Sequence, residues 1–180
     1  DRREDDFVGD QWGSAWTMWM NLQSSDLNGG VQTVGGTAFR YRPVIGWGQL
    51  PAGWDFVDVV GVATDSQDRV YAFNRGEHPV VVFDHNGTYL QSWGKGQFER
   101  PHGIWIAPDD NLYLIDDYGH CVRKYTLDGQ LILALNKDGQ PSGTGVVNFD
   151  FRTIQQPAGP FHFPANLATA TDGQMYVTDG

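Results

Sequence analysis

Gly61-Val62-Ala63-Thr64-Asp65-Ser66-Gln67-Asp68-Arg69-Val70-Tyr71-Ala72-Phe73 returns 42 residues later, without a gap, as Gly103-Ile104-Trp105-Ile106-Ala107-Pro108-Asp109-Asp110-Asn111-Leu112-Tyr113-Leu114-Ile115. Each copy reads as a short apolar strand, a polar turn and a second strand carrying a tyrosine. A third copy, Leu167-Ala168-Thr169-Ala170-Thr171-Asp172-Gly173-Gln174-Met175-Tyr176-Val177, sets Tyr176 63 residues after Tyr113. That spacing exceeds the 42-residue period by 21, which marks an insertion; Gly, Pro, Gln and Ser concentrate over 137–159. Phe98-Glu99-Arg100-Pro101 and Phe161-His162-Phe163-Pro164 match at the same 63-residue spacing.

Two more strand signals follow each of the first two copies. Val80-Val81-Val82-Phe83 and Tyr89-Leu90-Gln91-Ser92-Trp93 flank Asn86-Gly87, and Val122-Arg123-Lys124-Tyr125 and Leu131-Ile132-Leu133-Ala134 flank Asp128-Gly129. Asn-Gly and Asp-Gly supply the positive φ that hairpin turns demand. Four antiparallel strands per period of about 42 residues predict the blades of an all-β propeller. A sandwich would not repeat its sequence. The blades fall at about 56–98 and 99–140, with an incomplete third at 160–180. Proline suits the first residue of a strand, so Phe98-x-x-Pro101-x-Gly103 reads as the approach to an innermost strand. His102, and Arg75 after the second strand of its blade, are therefore aimed at the axial channel or its mouth.

Composition narrows the setting. The 180 residues are 40% hydrophobic and 19% charged, too apolar for a disordered chain. No apolar run approaches the ~18 residues of a membrane-spanning helix. A net charge of −10 lacks the basic footprint of a nucleic-acid binder and argues against anionic membrane surfaces. Cys121 is the only cysteine, which excludes an intrachain disulfide and a cysteine zinc cluster. A start at Asp1 without Met fits an exported mature protein, periplasmic or extracellular, as well as a fragment or a tagged product. Residues 1–40 read as an acidic, aromatic extension with helix expected over 14–23, and 41–180 as the partial propeller. The stretch around Trp47 reads as an outer strand leading into the first blade.

The chemical candidates have bland alternatives. The histidines His78, His85, His102, His120 and His162 show no His-x-His or His-x-x-x-His spacing. His85 reads as a solvent-facing turn residue, and His120 and His162 as structural; His102 stands out by its axial position. Arg75 suits a carboxylate ligand, or else a surface ion pair with Glu77. Asp116-Asp117 offers hard oxygens for calcium, with a solvated turn as the favoured reading. Asn86-Gly87-Thr88 fits a glycosylation sequon but reads first as a turn.

The combination Phe73-Asn74-Arg75-Gly76-Glu77-His78, Arg100-Pro101-His102-Gly103-Ile104 and Tyr176-Val177-Thr178-Asp179-Gly180 resembles the NHL-repeat propellers, and specifically the peptidyl-α-hydroxyglycine α-amidating lyase family. The resemblance covers roughly 41–180. It implies a six-bladed propeller with an axial zinc held by three histidines, the first of which carries over to His102. It also implies Arg75 as the active-site arginine and calcium bound through the carbonyls of Val62 and Ile104. The family's catalytic tyrosine would follow Gly180, and the remaining ligands would come from later blades.

Three functions are weighed. The first is an incomplete copy of a zinc-dependent lyase releasing a peptide amide and glyoxylate, this segment alone being inactive. The second is a non-catalytic scaffold binding a peptide or protein. A calcium-dependent propeller lactonase ranks third, because no matching set of acidic and amide ligands is visible. Six blades at this period need roughly 250 residues, so a missing half or self-association is expected.

Overall fold

The structure is a computed structural model that describes residues 34–180 apart from 36, 38, 137, 138 and 149. The expected aromatic extension and its helix over 14–23 lie outside the described residues. Contacts divide the chain into Asp1–Ile45 and Gly46–Gly180. In the first unit, β1 (Val34–Gly35) pairs antiparallel with β2 (Arg40–Tyr41).

The second unit is built from the repeat. Strands β3 (Val59–Thr64), β4 (Val70–Asn74), β5 (Val80–Phe83) and β6 (Tyr89–Trp93) form one antiparallel sheet in chain order. Strands β7 (Pro101–Ile106), β8 (Leu112–Asp116), β9 (Cys121–Tyr125) and β10 (Leu131–Leu135) form the next, and β11 (Pro164–Thr169) pairs with β12 (Met175–Asp179). These are two propeller blades and the inner half of a third, as the repeat predicts. The turns repeat as closely as the strands do. Asp68, Asp110 and Gly173 all take positive φ at the same place between a first and second strand, and the outer hairpins turn at Gly87 and Gly129 with φ of 86° and 85°.

The period-two alternation of each strand sorts its apolar side chains onto two faces. Tyr71, Phe73, Val80 and Val82 of the first blade meet Ile104, Ile106, Leu112, Leu114 and Tyr125 of the second in one core. The opposite face of the second blade, with Tyr113, Ile115 and Val122, packs on Leu167, Phe161 and Val177 of the third. The opposite face of the first blade, Ala72, Val81 and Phe83, is covered by Trp47 and Leu50. The Trp47 stretch is thus a cover rather than the expected outer strand: its ladder contact is a single parallel bridge from Gln49 to Thr88. Gln49 N–H donates to the Gly87 carbonyl at 2.8 Å; the cover reaches the outer part of this face only, and Val62 at its inner end stays exposed.

The first strands β3, β7 and β11 pack on one another in succession, which places them at the inner edge. The packing is close enough to demand glycine. A Cβ on Gly61 would lie 2.8 Å from Ile104 Cγ2, and one on Gly103 would lie 2.4 Å from the Ala165 carbonyl oxygen. The second contact is with backbone, which cannot swing aside. Gly103→Val is therefore expected to destabilise the protein by about 1–3 kcal/mol through overpacking. Gly143→Ala, with nothing within 4 Å of its Cβ position, should stay within about 0.5 kcal/mol of the parent. Denaturant midpoints of the two variants check this.

Candidate functional site

Each inner strand is entered through the same device. Asn74, Asp116 and Asp179 end the second strands at matching positions of the repeat. Asn74 Oδ1 accepts from the N–H groups of Val57 and Asp58 at 3.1 and 3.0 Å. Asp116 accepts from Glu99 N at 2.8 Å and Arg100 N at 2.9 Å, and Asp179 accepts from His162 N at 2.7 and 3.0 Å. Asp116 also accepts from Gly119 N at 2.9 Å and pairs with Arg123 at 3.3 Å. Asp116 and Asp117 are 0% and 2% exposed, so they are not the solvated turn expected from sequence. Burial is tolerated because N–H groups and two arginines take up their charge.

A second ion pair repeats with its signs reversed. Asp58 and Arg75 of the first blade correspond to Arg100 and Asp117 of the second. Arg75 Nη1 bonds Asp58 Oδ2 at 2.7 Å, not Glu77, which pairs with Lys95 instead. Arg100 grips Asp117 through Nε at 2.8 and 2.9 Å and through Nη2, and its guanidinium stacks 3.7 Å over Tyr118. Arg75 Nε donates to the Pro101 carbonyl at 3.0 Å. Its Nη2 has no hydrogen-bond partner among the described residues, and the side chain is 31% exposed. That open edge is what a carboxylate or a developing oxyanion requires.

Ladder pairing skips one residue at the start of every inner strand: between Val59 and Gly61, between Pro101 and Gly103, and between Pro164 and Asn166. The extra residue of such a bulge is unpaired and its side chain is re-aimed. In the second blade that residue is His102. Its Nδ1 lies 2.9 Å from the Ala165 carbonyl oxygen. A carbonyl only accepts, so Nδ1 is the donor, and the neutral tautomer that fits this contact has its lone pair on Nε2. This is the arrangement of a metal-binding histidine oriented by a backbone carbonyl. Nε2 stands 4.0 Å from Asp117, beyond hydrogen-bond reach, and Asp117 is already engaged by Arg100. His102 thus fits a zinc ion as one ligand, although among the described residues no group of three His, Cys, Asp or Glu could hold a metal. Val62 and Ile104 occupy matching positions on β3 and β7, one residue past each close-packed glycine.

The other histidines are structural or turn residues. His85 is exposed in its turn. His78 stacks on Trp54 with 3.3 Å between ring centroids. His162 Nδ1 lies 2.8 Å from the Ser142 carbonyl oxygen and so fastens the insertion to the third blade. His120 Nδ1 accepts from Phe163 N at 3.2 Å. Both are structural, as the sequence suggested, but their partners lie 20 and 43 residues away, where periodicity gives no sign of them. Cys121 is buried, which pushes its thiol up to about 11 and leaves it unreactive.

Burial, and next the neighbouring His162, holds the His120 imidazole below its ordinary value, against the opposing pull of Asp116, Asp117 and Asp179. The unfolded chain therefore binds the proton more readily. Stability from this group is complete above about pH 7 and declines as pH falls through ~6.5 toward the lower folded value. His120→Asn tolerates the left-handed backbone at this position (φ 47°), and it is expected to flatten that slope in denaturant midpoints measured from pH 7 to 5.

No protein-family model matches the chain. It is similar to NHL repeat-containing protein 3 of Mus musculus, 33% identical over 129 residues that cover 66% of this chain and 34% of that protein. The Homo sapiens protein of the same name is 29% identical over 153 residues, 78% of this chain and 40% of the relative. Peptidyl-alpha-hydroxyglycine alpha-amidating lyase 1 of Drosophila melanogaster is 32% identical over 97 residues, 52% of this chain and 15% of the lyase. The chain spans well under half the length of each of these relatives.

Proposed function

The chain is a run of NHL-type propeller blades, and from that premise we propose that it carries part of a zinc-dependent lyase site cleaving peptidyl-α-hydroxyglycine to a peptide amide and glyoxylate. The observation that carries the reading is adjacency. Arg75 reaches the carbonyl of Pro101, the residue bonded to His102, so a cation with an open edge is anchored to the backbone one residue from that histidine.

Cleavage of a carbinolamide requires its hydroxyl to lose a proton while the C–N bond breaks. Zinc, when bound, supplies a Lewis acid for the negative charge that develops on the substrate. His102 would hold it through Nε2, with the ring fixed by Ala165. Arg75, steadied by Asp58 and Pro101, would hold the substrate carboxylate or the developing oxyanion through Nη2. Calcium belongs to the same proposal, through the carbonyls of Val62 and Ile104 on neighbouring inner strands. So does export, supported only by the likeness to an amidating enzyme.

The alternative is a non-catalytic scaffold for a peptide or protein. The favouring observation is the sign-reversed counterpart of Arg75–Asp58 in the second blade, which gives Arg75 a purely structural precedent. Either reading leaves outer faces to be covered by further blades or a second copy: Val62 and Tyr176 are 64% and 61% exposed.

The two are separated on the full-length protein by metal analysis and glyoxylate release from a hydroxyglycine-ended peptide. Stoichiometric zinc and turnover are expected, with Arg75→Ala and His102→Ala each slowing turnover by roughly 100-fold or more. A zinc-free protein that releases no glyoxylate overturns the lyase.

A further inference from the structure

A groove of about 430 Å³ starts at Arg75 and lies between two loops of the first blade. One wall is the β4–β5 connection with Arg75, Gly76 and Glu77; the other is the β6–β7 connection with Lys95, Gly96 and Glu99. Its volume falls within the range of about 300–1,000 Å³ typical of ligand sites, room for a short peptide rather than one residue.

Three features define what would fill it. Arg75, whose Nη2 edge is open, lines the inner end. The floor is apolar: Phe98 and Pro79 line the groove and both border the space above Gly94, at 2.9 and 3.6 Å from its Cβ position. The outer end holds Lys95, 72% exposed, paired only with Glu77, itself 65% exposed. The chain carries a net charge of −10, yet three of its 12 basic residues, Arg75, Lys95 and Arg100, line this one groove against two acids. All three are ion-paired, but Arg100 is held by the buried Asp117, whereas the pairs Arg75–Asp58 and Lys95–Glu77 are partly or fully exposed and leave Arg75 Nη2 and two Lys95 N–H donors open.

We propose that the groove is a peptide subsite. A peptide with its carboxyl end at Arg75 runs outward between the two loops, lays an apolar side chain on Phe98 and Pro79, and presents an acidic side chain to Lys95. This rests on the reading of the Arg75 end as the place where a peptide terminus reacts, and it names the rest of that substrate.

The test compares labelled peptides that end in hydroxyglycine and carry either Glu or Lys at the third residue from the carboxyl end. A truncated probe lacks that residue altogether. Binding is read by fluorescence anisotropy on the full-length protein, and glyoxylate release is read separately. Glu is expected to be preferred by roughly two- to fivefold, the range of an exposed ion pair. Lys95→Glu should reverse the preference, and the truncated probe should bind both proteins alike. The double variant Glu77→Lys/Lys95→Glu keeps the ion pair and so reports on folding; it should show a smaller reversal than the single change. Equal binding of the Glu and Lys peptides, or a change that also affects the truncated probe, overturns the subsite. Charge-selective peptide binding without glyoxylate release keeps the subsite and overturns the lyase instead.

Discussion

One polar side chain per blade, at the end of its second strand, holds the backbone that enters the inner strand, and the arrangement of the inner face depends on it. Asn74, Asp116 and Asp179 satisfy N–H groups that the turn of the incoming segment leaves without ladder partners. An unmet buried N–H costs about 1–3 kcal/mol, so the incoming segment has one cheap position. That position fixes Asp58, Arg100 and His162, and through them Arg75, His102 and the insertion. Asp116 faces Arg123 and three N–H donors, whereas Asn74 has no cation bonded to it, accepts from two N–H groups and donates Nδ2 to the His78 carbonyl at 3.4 Å.

The reversed pair beside it shows how geometry and chemistry separate. Asp58–Arg75 and Arg100–Asp117 span the same gap with charges exchanged, so the fold asks only for opposite signs. Where the acid lies on the inner side, as Asp117, it is 3% exposed and saturated. Where the arginine lies there, its longer, five-donor head meets the same structural demand and keeps a donor edge over. The open donor edge of Arg75 is thus a surplus on a structural contact.

The repeat, its strand order and its turns were legible in the sequence because they rest on local signals: period-two apolar residues, Asn-Gly and Asp-Gly turns, and proline at the head of an inner strand. The place of His102 at the head of an inner strand was legible for the same reason. Three features were not. Asp116-Asp117 looks polar and turn-like in one dimension, and only the incoming segment of its own blade shows why it is buried. Arg75 has a near acid in Glu77, but the strand ends bring Asp58 closer and give Glu77 to Lys95. The link from the insertion to His162 joins residues that nothing in periodicity couples.

The bulge that opens each inner strand has a consequence for how such a protein changes over time. Val60, His102 and Ala165 occupy one slot, unpaired in the ladder and repeated blade by blade. The slot lies outside the hydrogen-bond register, so its occupant is set by its side chain alone and the blade folds with a valine, a histidine or an alanine there. Val60 packs on the core between the first two blades, whereas His102 turns its ring to the Ala165 carbonyl, so one slot serves packing in one blade and holds a polar ring in the next. On the proposed lyase reading, scaffold and enzyme would differ by the contents of a few such slots on a shared backbone.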